Sequence, residues 1–202
     1  MKPVTLTTRR LILRPFEPSD ASAVLDACQD PDIQRWTGVP SPYRREHADD
    51  FVQRICPEGW HDDITYNFAL VTKGDQALAG SMGLVRLEHL RGPEHQAELG
   101  YWTAKEHRRR GFAVEAGRAV VEWAFAGLGV ERLEWCAEAG NDASRAVALA
   151  LGFHMEGTDR ARIVHGGTRR DAWRGSVLPS DWRLPSATPY LPAPAGASAD
   201  GR

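Results

Sequence analysis

The segment Ala97–Phe125, AELGYWTAKEHRRRGFAVEAGRAVVEWAF, carries the strongest structural signal because three local patterns follow one another within it. Residues 97–102 have the composition of a β-strand. The run 107–113, HRRRGFA, is a basic turn, and apolar residues then recur at helical spacing. In such a strand–turn–helix unit, Gly111 lets the backbone approach a ligand closely. The amides at the helix N-terminus can then bind phosphate oxygens.

Three consecutive arginines, Arg108, Arg109 and Arg110, add positive charge to this turn and favour an anionic ligand. The alternative for three arginines alone is a solvated surface turn. Two other phosphate-binding motifs are excluded. The chain has no Gly-Lys-Ser/Thr and therefore no P-loop. Gly127-Leu128-Gly129 follows a helix and lacks the third small residue of a dinucleotide-binding fingerprint. The pattern therefore predicts an anion-binding turn that is neither of these.

Outside this segment, the patterns predict alternating strands and helices. The expected strands are 10–16, 66–71, 78–87, 96–102, 132–137 and a final hairpin of 154–164 with 168–178. The expected helices are 21–28, 44–55, one ending at 128, and one capped by Asn141. We expect Asp30-Pro31 to end the first helix and residues 36–43 and 57–63 to be loops. This order predicts an α/β or α+β domain with a mixed sheet.

The composition limits the class of protein. The 202 residues carry a net charge of −2 with an isoelectric point of about 6.4, which argues against a dedicated nucleic-acid binder and leaves binding through the three arginines as an alternative. No apolar run is long enough to span a membrane, and no secretion signal is evident. Three distant cysteines without a C-x-x-C pair predict inert thiols, no metal site and a cytoplasmic setting. We expect one domain over 1–184 and a disordered Pro/Ala-rich tail over 185–202.

Several short motifs occur together in one order, and their spacing carries a family resemblance. They are Arg108-x-x-Gly111-x-Ala113, Asn141-x-x-Ser144, Leu151-Gly152-Phe153, Arg9–Arg14, Glu98–Trp102 and Leu178–Trp182. Over about residues 7–182 the chain resembles the GNAT superfamily of N-acetyltransferases, and more narrowly its RimJ/RimL-type branch. Each motif is modest, whereas their combination is specific.

The resemblance implies a mixed, mostly antiparallel twisted sheet flanked by helices and splayed between the fourth and fifth predicted strands, 96–102 and 132–137. It implies acetyl-CoA as cosubstrate, with its pyrophosphate on the turn and its pantetheine arm in the opening between these strands. A backbone N–H of the first of them would polarise the acetyl carbonyl. The expected cofactor-binding residues are Tyr101, Trp102, Arg108, Arg109, Arg110, Gly111, Phe112, Ala113, Asn141 and Ser144.

The resemblance also suggests catalytic roles, with one departure. The tyrosine that protonates the leaving thiolate in many GNAT proteins is replaced by Ala148. Because the RimJ/RimL branch has a serine at the position of Ser144, we hypothesise that Ser144 hydrogen-bonds the CoA sulfur, the alternative being a helix serine that satisfies backbone. Glu98 is the expected general base, or else a strand carboxylate paired with an arginine. Glu138 is the second candidate base, and His107 is expected at the surface.

The expected acceptor is a primary amine, either a protein N-terminal α-amine, as on a ribosomal protein, or a small molecule. An α-amine has a pKa near ~7.8 against ~10.4 for lysine and therefore needs less help from a base. Asp49, Asp50, Asp62 and Asp63 would attract a cationic acceptor or form a solvated face. Trp36 and Trp60 would line a pocket or pack in the core.

Two further expectations concern the activity class and the assembly. The alternative to an enzyme is a non-catalytic CoA-binding module, acting as a sensor or an interaction partner, for which the missing tyrosine is the sequence support. Dimers are common in the family that the chain resembles, and the hairpin near Trp173 is one candidate contact for a homodimer.

Overall fold

Eight strands form one sheet in the order β1-β2-β3-β4-β5-β6-β8-β7 in the computed structural model, which describes residues 1–193. The strands are β1 (Leu6–Thr7), β2 (Leu11–Pro15), β3 (Tyr66–Thr72), β4 (Leu78–Val85), β5 (Gln96–Thr103), β6 (Arg132–Glu138), β7 (His154–His165) and β8 (Thr168–Val177). Every neighbouring pair is antiparallel except β5 and β6. The predicted mixed, mostly antiparallel sheet is confirmed.

Helices cover both faces of this sheet. They are α1 (Ala21–Ala27), α2 (Pro31–Trp36), α3 (Arg45–Asp50), α4 (Cys56–His61), α5 (Phe112–Leu128) and α6 (Asp142–Ala150). A π-helical turn, Phe51–Ile55, joins α3 to α4. The long helix α5 ends at Gly129, which adopts the left-handed conformation (φ 70°) that glycine tolerates without strain.

The core has two layers because side chains alternate along each strand. In β3, Phe68 and Leu70 belong to the cluster that contains the buried face of α5. Ala69 and Val71 belong to the cluster that contains α1 and α3. The central strand is therefore buried on both faces, and the two helical layers are held apart by the sheet.

The parallel pairing of β5 with β6 is short. It joins Gln96 to Arg132, Ala97 to Leu133 and Glu98 to Glu134, and the ladder extends no further between these strands. The remaining residues of both strands, 99–103 and 135–138, continue beyond the last pair. This is the place where the sequence predicted an opening in the sheet.

One prediction about local structure is confirmed but incomplete, and another is wrong. Asp30-Pro31 does end α1, but it also begins α2, because the Asp30 side chain accepts a hydrogen bond from the Asp32 amide and proline suits the first helical turn. Residues 57–63 are mostly helical, since α4 extends to His61. Gly59 permits this, because a Cβ there would lie 2.4 Å from the Thr65 Oγ1.

The predicted disordered tail lies partly outside the described residues, which end at 193. Within them, the Glu131 carboxylate accepts hydrogen bonds from the Ser186 hydroxyl and from the backbone amides of Ala187 and Thr188. The first residues after the predicted domain boundary are thus attached to the loop that precedes β6.

Candidate functional site

A turn with exposed backbone amides precedes α5. Arg109 (φ 58°) and Gly111 (φ 76°) both adopt the left-handed conformation, and Gly111 is the N-cap of α5 without a capping side chain. Among residues 1–193, the structure shows no hydrogen-bond acceptor for the amides of 109–114. Successive amides without acceptors at the start of a 17-residue helix have the arrangement that can bind an anion.

Three guanidinium groups lie at this turn. They belong to Arg109, Arg110 and Arg10, and the sequence predicted no role for Arg10. Arg109 and Arg110 are exposed, as predicted for phosphate-binding side chains. Arg10, the residue immediately before β2, lies over the Phe112 ring (4.7 Å) on which Arg110 also stacks (4.8 Å). Glu115 holds Arg10 there through a 2.6 Å ion pair. The motif Arg9–Arg14 was the only sequence signal for Arg10, and it does not show this proximity.

Arg108 has a different environment from the other two arginines of the turn. Its guanidinium pairs with Asp30 (2.5 Å) and Asp32 (3.0 Å) at the start of α2, and it donates a hydrogen bond to the Thr103 carbonyl. A phosphate contact by Arg108 therefore requires the exchange of an ion pair. Ala113 follows Phe112 in the first turn of α5, and Phe112 is buried beneath the arginines.

Residues of β5, β6 and α6 meet beyond the last paired residues of β5 and β6. The Tyr101 hydroxyl lies 2.8 Å from the Ser144 carbonyl oxygen and 3.0 Å from the Ser144 Oγ. The Trp135 indole N–H donates to the same Oγ (3.0 Å). The Asn141 side chain accepts a hydrogen bond from the Ser144 amide and so caps α6. Four residues, three of them predicted site residues, thus form one cluster beyond the last β5–β6 pair.

Glu98 lies on the face of β5 that also carries Gly100 and Trp102, because residues two apart on a strand share a face. It pairs with Arg86 (3.2 Å), and its side chain is 17% exposed. Burial raises the pKa of Glu98, Arg86 lowers it, and the facing Glu134 raises it again. Both interpretations from the sequence are therefore present in one residue: an ion pair with arginine, and a carboxylate with increased basicity.

The other two titratable candidates have structural partners. Both Glu138 oxygens accept hydrogen bonds from Arg35 (2.8 and 2.6 Å), and this pairing lowers the pKa of Glu138. Glu138 is consequently a weaker base than Glu98. The expectation that His107 is at the surface is wrong, since its ring is buried near Phe112 and contacts Arg110.

A cavity of about 370 Å³ opens on the α1–α3 face of β4 and β5. Its lining includes Gly100, Tyr101 and Trp102 of β5, so it borders the strand whose backbone is expected to polarise the acetyl group. The remaining walls are Thr37, Gly38, Val39, Pro40, Tyr43, His47, Asp50, Phe51, Ile55, Asn67, Ser81 and Val85. Apolar groups predominate in this lining, and Asp50 is the one carboxylate.

The acidic residues of the predicted acceptor side are paired. Arg54 binds both oxygens of Asp50 (2.6 and 2.8 Å). Asp49 pairs with Arg45, Asp62 with His61, and Asp63 with the N-terminal ammonium and Arg91. Asp49, Asp50 and Asp63 therefore provide little unbalanced negative charge, whereas Asp62 contacts a histidine that is charged only when protonated.

The two tryptophans of this region differ in environment. Trp60 is buried and stacks on Tyr66 (4.6 Å), so the core alternative is confirmed for it. Trp36 lies near Gly140, beyond the end of β6, beneath the Arg35 guanidinium (4.2 Å). Neither tryptophan lines the cavity.

The cysteines and the other possible sites add no further chemistry. Cys28 and Cys56 are buried, and burial raises the pKa of the Cys28 thiol to about 11. Within residues 1–193 there is no cluster of three or more His, Cys, Asp or Glu able to hold a metal ion. None of the helices in this part of the chain combines the length and apolar character needed to cross a membrane.

Comparison with known proteins agrees with this geometry. The model of the acetyltransferase (GNAT) domain matches residues 10–154, which is most of the chain. The chain belongs to the GNAT acetyltransferase family. The N-acetyltransferase YoaA of Bacillus subtilis, which is uncharacterised, is 29% identical over 82% of this chain and 92% of its own length.

Two further relatives differ in the acceptor that their names specify. A Vibrio cholerae structure named as a candidate ribosomal-protein-serine acetyltransferase is 25% identical, with a TM-score of 0.78, over 89% of this chain and 100% of that one. Spermidine N(1)-acetyltransferase of Escherichia coli K12 is 24% identical over 88% of this chain and 90% of its own length. The predicted resemblance to GNAT acyltransferases with ribosomal-protein relatives is confirmed.

Proposed function

We propose that this GNAT protein transfers the acetyl group of acetyl-CoA to a primary amine, by direct attack of the amine in a ternary complex. The observation that carries the proposal is the run of amides at 109–114 without a hydrogen-bond acceptor, which follows β5 and its short parallel pairing with β6. The charge of Arg109 and Arg110 and the left-handed Gly111 fit a pyrophosphate at this turn.

Acetyl-CoA would supply an activated thioester, and the residues of this chain would hold and polarise it. The turn amides and arginines bind the pyrophosphate, and the β5 backbone donates to the acetyl oxygen. Glu98, directly or through a water, accepts the proton that the amine loses as the new N–C bond forms. The C–S bond breaks with its electron pair left on sulfur, near Ser144. The products are an amide and CoA.

The lining of the cavity favours an acceptor whose amine is attached to an uncharged group, such as a protein N-terminus with an uncharged first residue. Its walls are mainly apolar, and the Asp50 carboxylate is already neutralised by Arg54. A polyamine carries additional ammonium groups, and desolvating these without unpaired carboxylates is costly. We therefore infer that peptide α-amines are better acceptors than spermidine.

The test is acetylation of peptides with small or apolar first residues and of spermidine, measured by intact mass and initial rates. We expect peptide acetylation and a lower kcat/KM for spermidine. Ile55→Glu, within the cavity lining, should reduce the peptide kcat/KM, whereas Ile64→Glu, at an exposed isoleucine outside it, should not. Preferred acetylation of spermidine, or equal effects of the two variants, would reject this acceptor assignment.

The second candidate function is a non-catalytic CoA-binding module. The observation in its favour is Ala148, which is fully buried at the position where many relatives have the acidic tyrosine. Binding of acetyl-CoA without transfer to any amine in the same assay would support it. A homodimer through the hairpin near Trp173, a cytoplasmic location and the absence of nucleic-acid binding stay predictions.

A further inference from the structure

The hydroxyl of Ser144 lies between side chains from both separated strands. Tyr101, from β5, is 3.0 Å from its Oγ, and Trp135, from β6, is also 3.0 Å away. These partners are 43 and 9 residues distant in sequence. Ser144 therefore bridges the opening in which the proposed function places the thioester.

The donors and acceptors in this cluster can be assigned because each group has a limited inventory. The Trp135 indole can only donate, so it occupies a lone pair of the Ser144 Oγ. Tyr101 has one proton, and the Ser144 carbonyl is its nearest acceptor at 2.8 Å. The Ser144 proton then points to the Tyr101 oxygen. The hydroxyl of Ser144 is thus held as a hydrogen-bond donor.

The usual local role of a first-turn serine is already filled by another residue. Asn141 caps α6 by accepting from the Ser144 amide (3.1 Å), so the serine hydroxyl is not needed as the cap. Tyr101 also stays protonated near neutral pH, since burial raises its pKa to about 12. A sulfur entering the opening can accept the Ser144 proton in place of Tyr101, which remains bonded to the Ser144 carbonyl.

We propose that Tyr101 and Trp135 are positioning residues that hold the Ser144 hydroxyl as a hydrogen-bond donor to the CoA sulfur. The inference rests on the proposed function for the identity of the ligand. In this arrangement the hydrogen bond stabilises the electron pair left on sulfur when the C–S bond breaks. Ala148 stands where many GNAT proteins have the tyrosine that protonates the thiolate. In this arrangement Ser144, held by Tyr101 of β5 and Trp135 of β6, takes over the contact with sulfur.

The first test measures binding without catalysis. Dissociation constants of CoA and of desulfo-CoA, which has hydrogen in place of the thiol, are compared by calorimetry from pH 7 to pH 10, a range over which the alkyl thiol of CoA begins to ionise. At the upper end of this range wild-type protein should bind CoA about tenfold more tightly than desulfo-CoA, because hydrogen bonds to charged groups are strong. Ser144→Ala should abolish this ratio. Tyr101→Phe and Trp135→Phe should each reduce it, and this ratio of affinities, not either affinity alone, is the readout.

The second test measures kinetics. Tyr101→Phe should lower kcat several-fold at constant KM for acetyl-CoA, and the double variant with Ser144→Ala should be no slower than Ser144→Ala alone, because both changes act on one interaction. Tyr66→Phe, which removes a phenol bonded to Asp63, is the matched control.

Two outcomes would overturn the inference: a wild-type ratio of affinities in Ser144→Ala, or additive kinetic effects in the double variant. The binding test does not depend on acetyl transfer. If the protein binds CoA but acetylates no amine, the proposed function fails, and the affinity ratios still decide the role of the cluster.

Discussion

Glu98 is a carboxylate on which burial and ion pairing act in opposite directions. Burial raises its pKa, and Arg86 only partly opposes this effect. In Glu138 the Arg35 hydrogen bonds dominate, and the pKa falls. A base that takes a proton from an ammonium group benefits from the higher pKa. The two carboxylates were both candidates in the sequence, and their environments favour Glu98.

Glu98→Gln should reduce the rate of acetyl transfer by about a hundredfold, the usual lower range for loss of a general base. It should also change the pH dependence of stability. Because the folded-state pKa of Glu98 is raised, the free energy of unfolding falls as pH rises from the ordinary glutamate pKa towards the raised value. The variant should lose this decline, as measured by urea unfolding at several pH values.

The control for Glu98 is Glu122→Gln, which changes an exposed carboxylate on α5. It should leave the maximal rate close to wild type. Full activity of Glu98→Gln at every pH would show that the base lies elsewhere.

The helix α5 begins and ends at a left-handed glycine, Gly111 (φ 76°) and Gly129 (φ 70°). Alanine at either position is strained by about 1 kcal/mol, so the two substitutions should lower the free energy of unfolding similarly. They should differ in ligand binding, because only Gly111 belongs to the turn with free amides. We expect Gly111→Ala to raise the KM for acetyl-CoA several-fold and Gly129→Ala to leave it unchanged. Equal KM values for the two variants would remove the turn from the cofactor site.

Across the whole molecule, α2 connects the acceptor side to the rest of the site. Arg108 binds its first residues from the turn before α5, and Arg35 near its end binds Glu138 at the end of β6. The chain then continues into the cavity wall at Thr37–Pro40. These long-range ion pairs therefore set the position of that wall relative to β6.

Arg35→Met should raise the KM for the amine several-fold, because α2 loses its attachment to β6. Arg45→Met is the matched control, since among residues 1–193 Arg45 pairs with Asp49 on its own helix and with Ser22 on α1, and it lies outside the cavity. Steady-state kinetics with a peptide acceptor measures both. An equal change in the two variants would show that α2 is not held by this pair.

Several features were predictable because they depend on nearby residues. The strand–turn–helix of 97–128 follows from three local patterns: a strand-like composition at 97–102, Gly111 in the turn, and apolar residues at helical spacing after it. Helix α2 was missed because Asp30-Pro31 is compatible both with the end of one helix and with the capped start of the next. The position of Arg10 beside the turn was missed because Arg10 and Phe112 are more than a hundred residues apart in sequence. Local sequence patterns carry no information about a contact between such distant residues.

The sequence by itself determined most of the strands and helices, the strand–turn–helix unit and the family, since these depend on local backbone preferences and on motifs that are read along the chain. Only the tertiary structure decided which carboxylate has the raised pKa, which arginines are exposed and what surrounds Ser144. Those properties depend on burial and on pairing between distant segments. Glu98 and Glu138 are the same residue type on adjacent strands, and only their neighbours in space make them different.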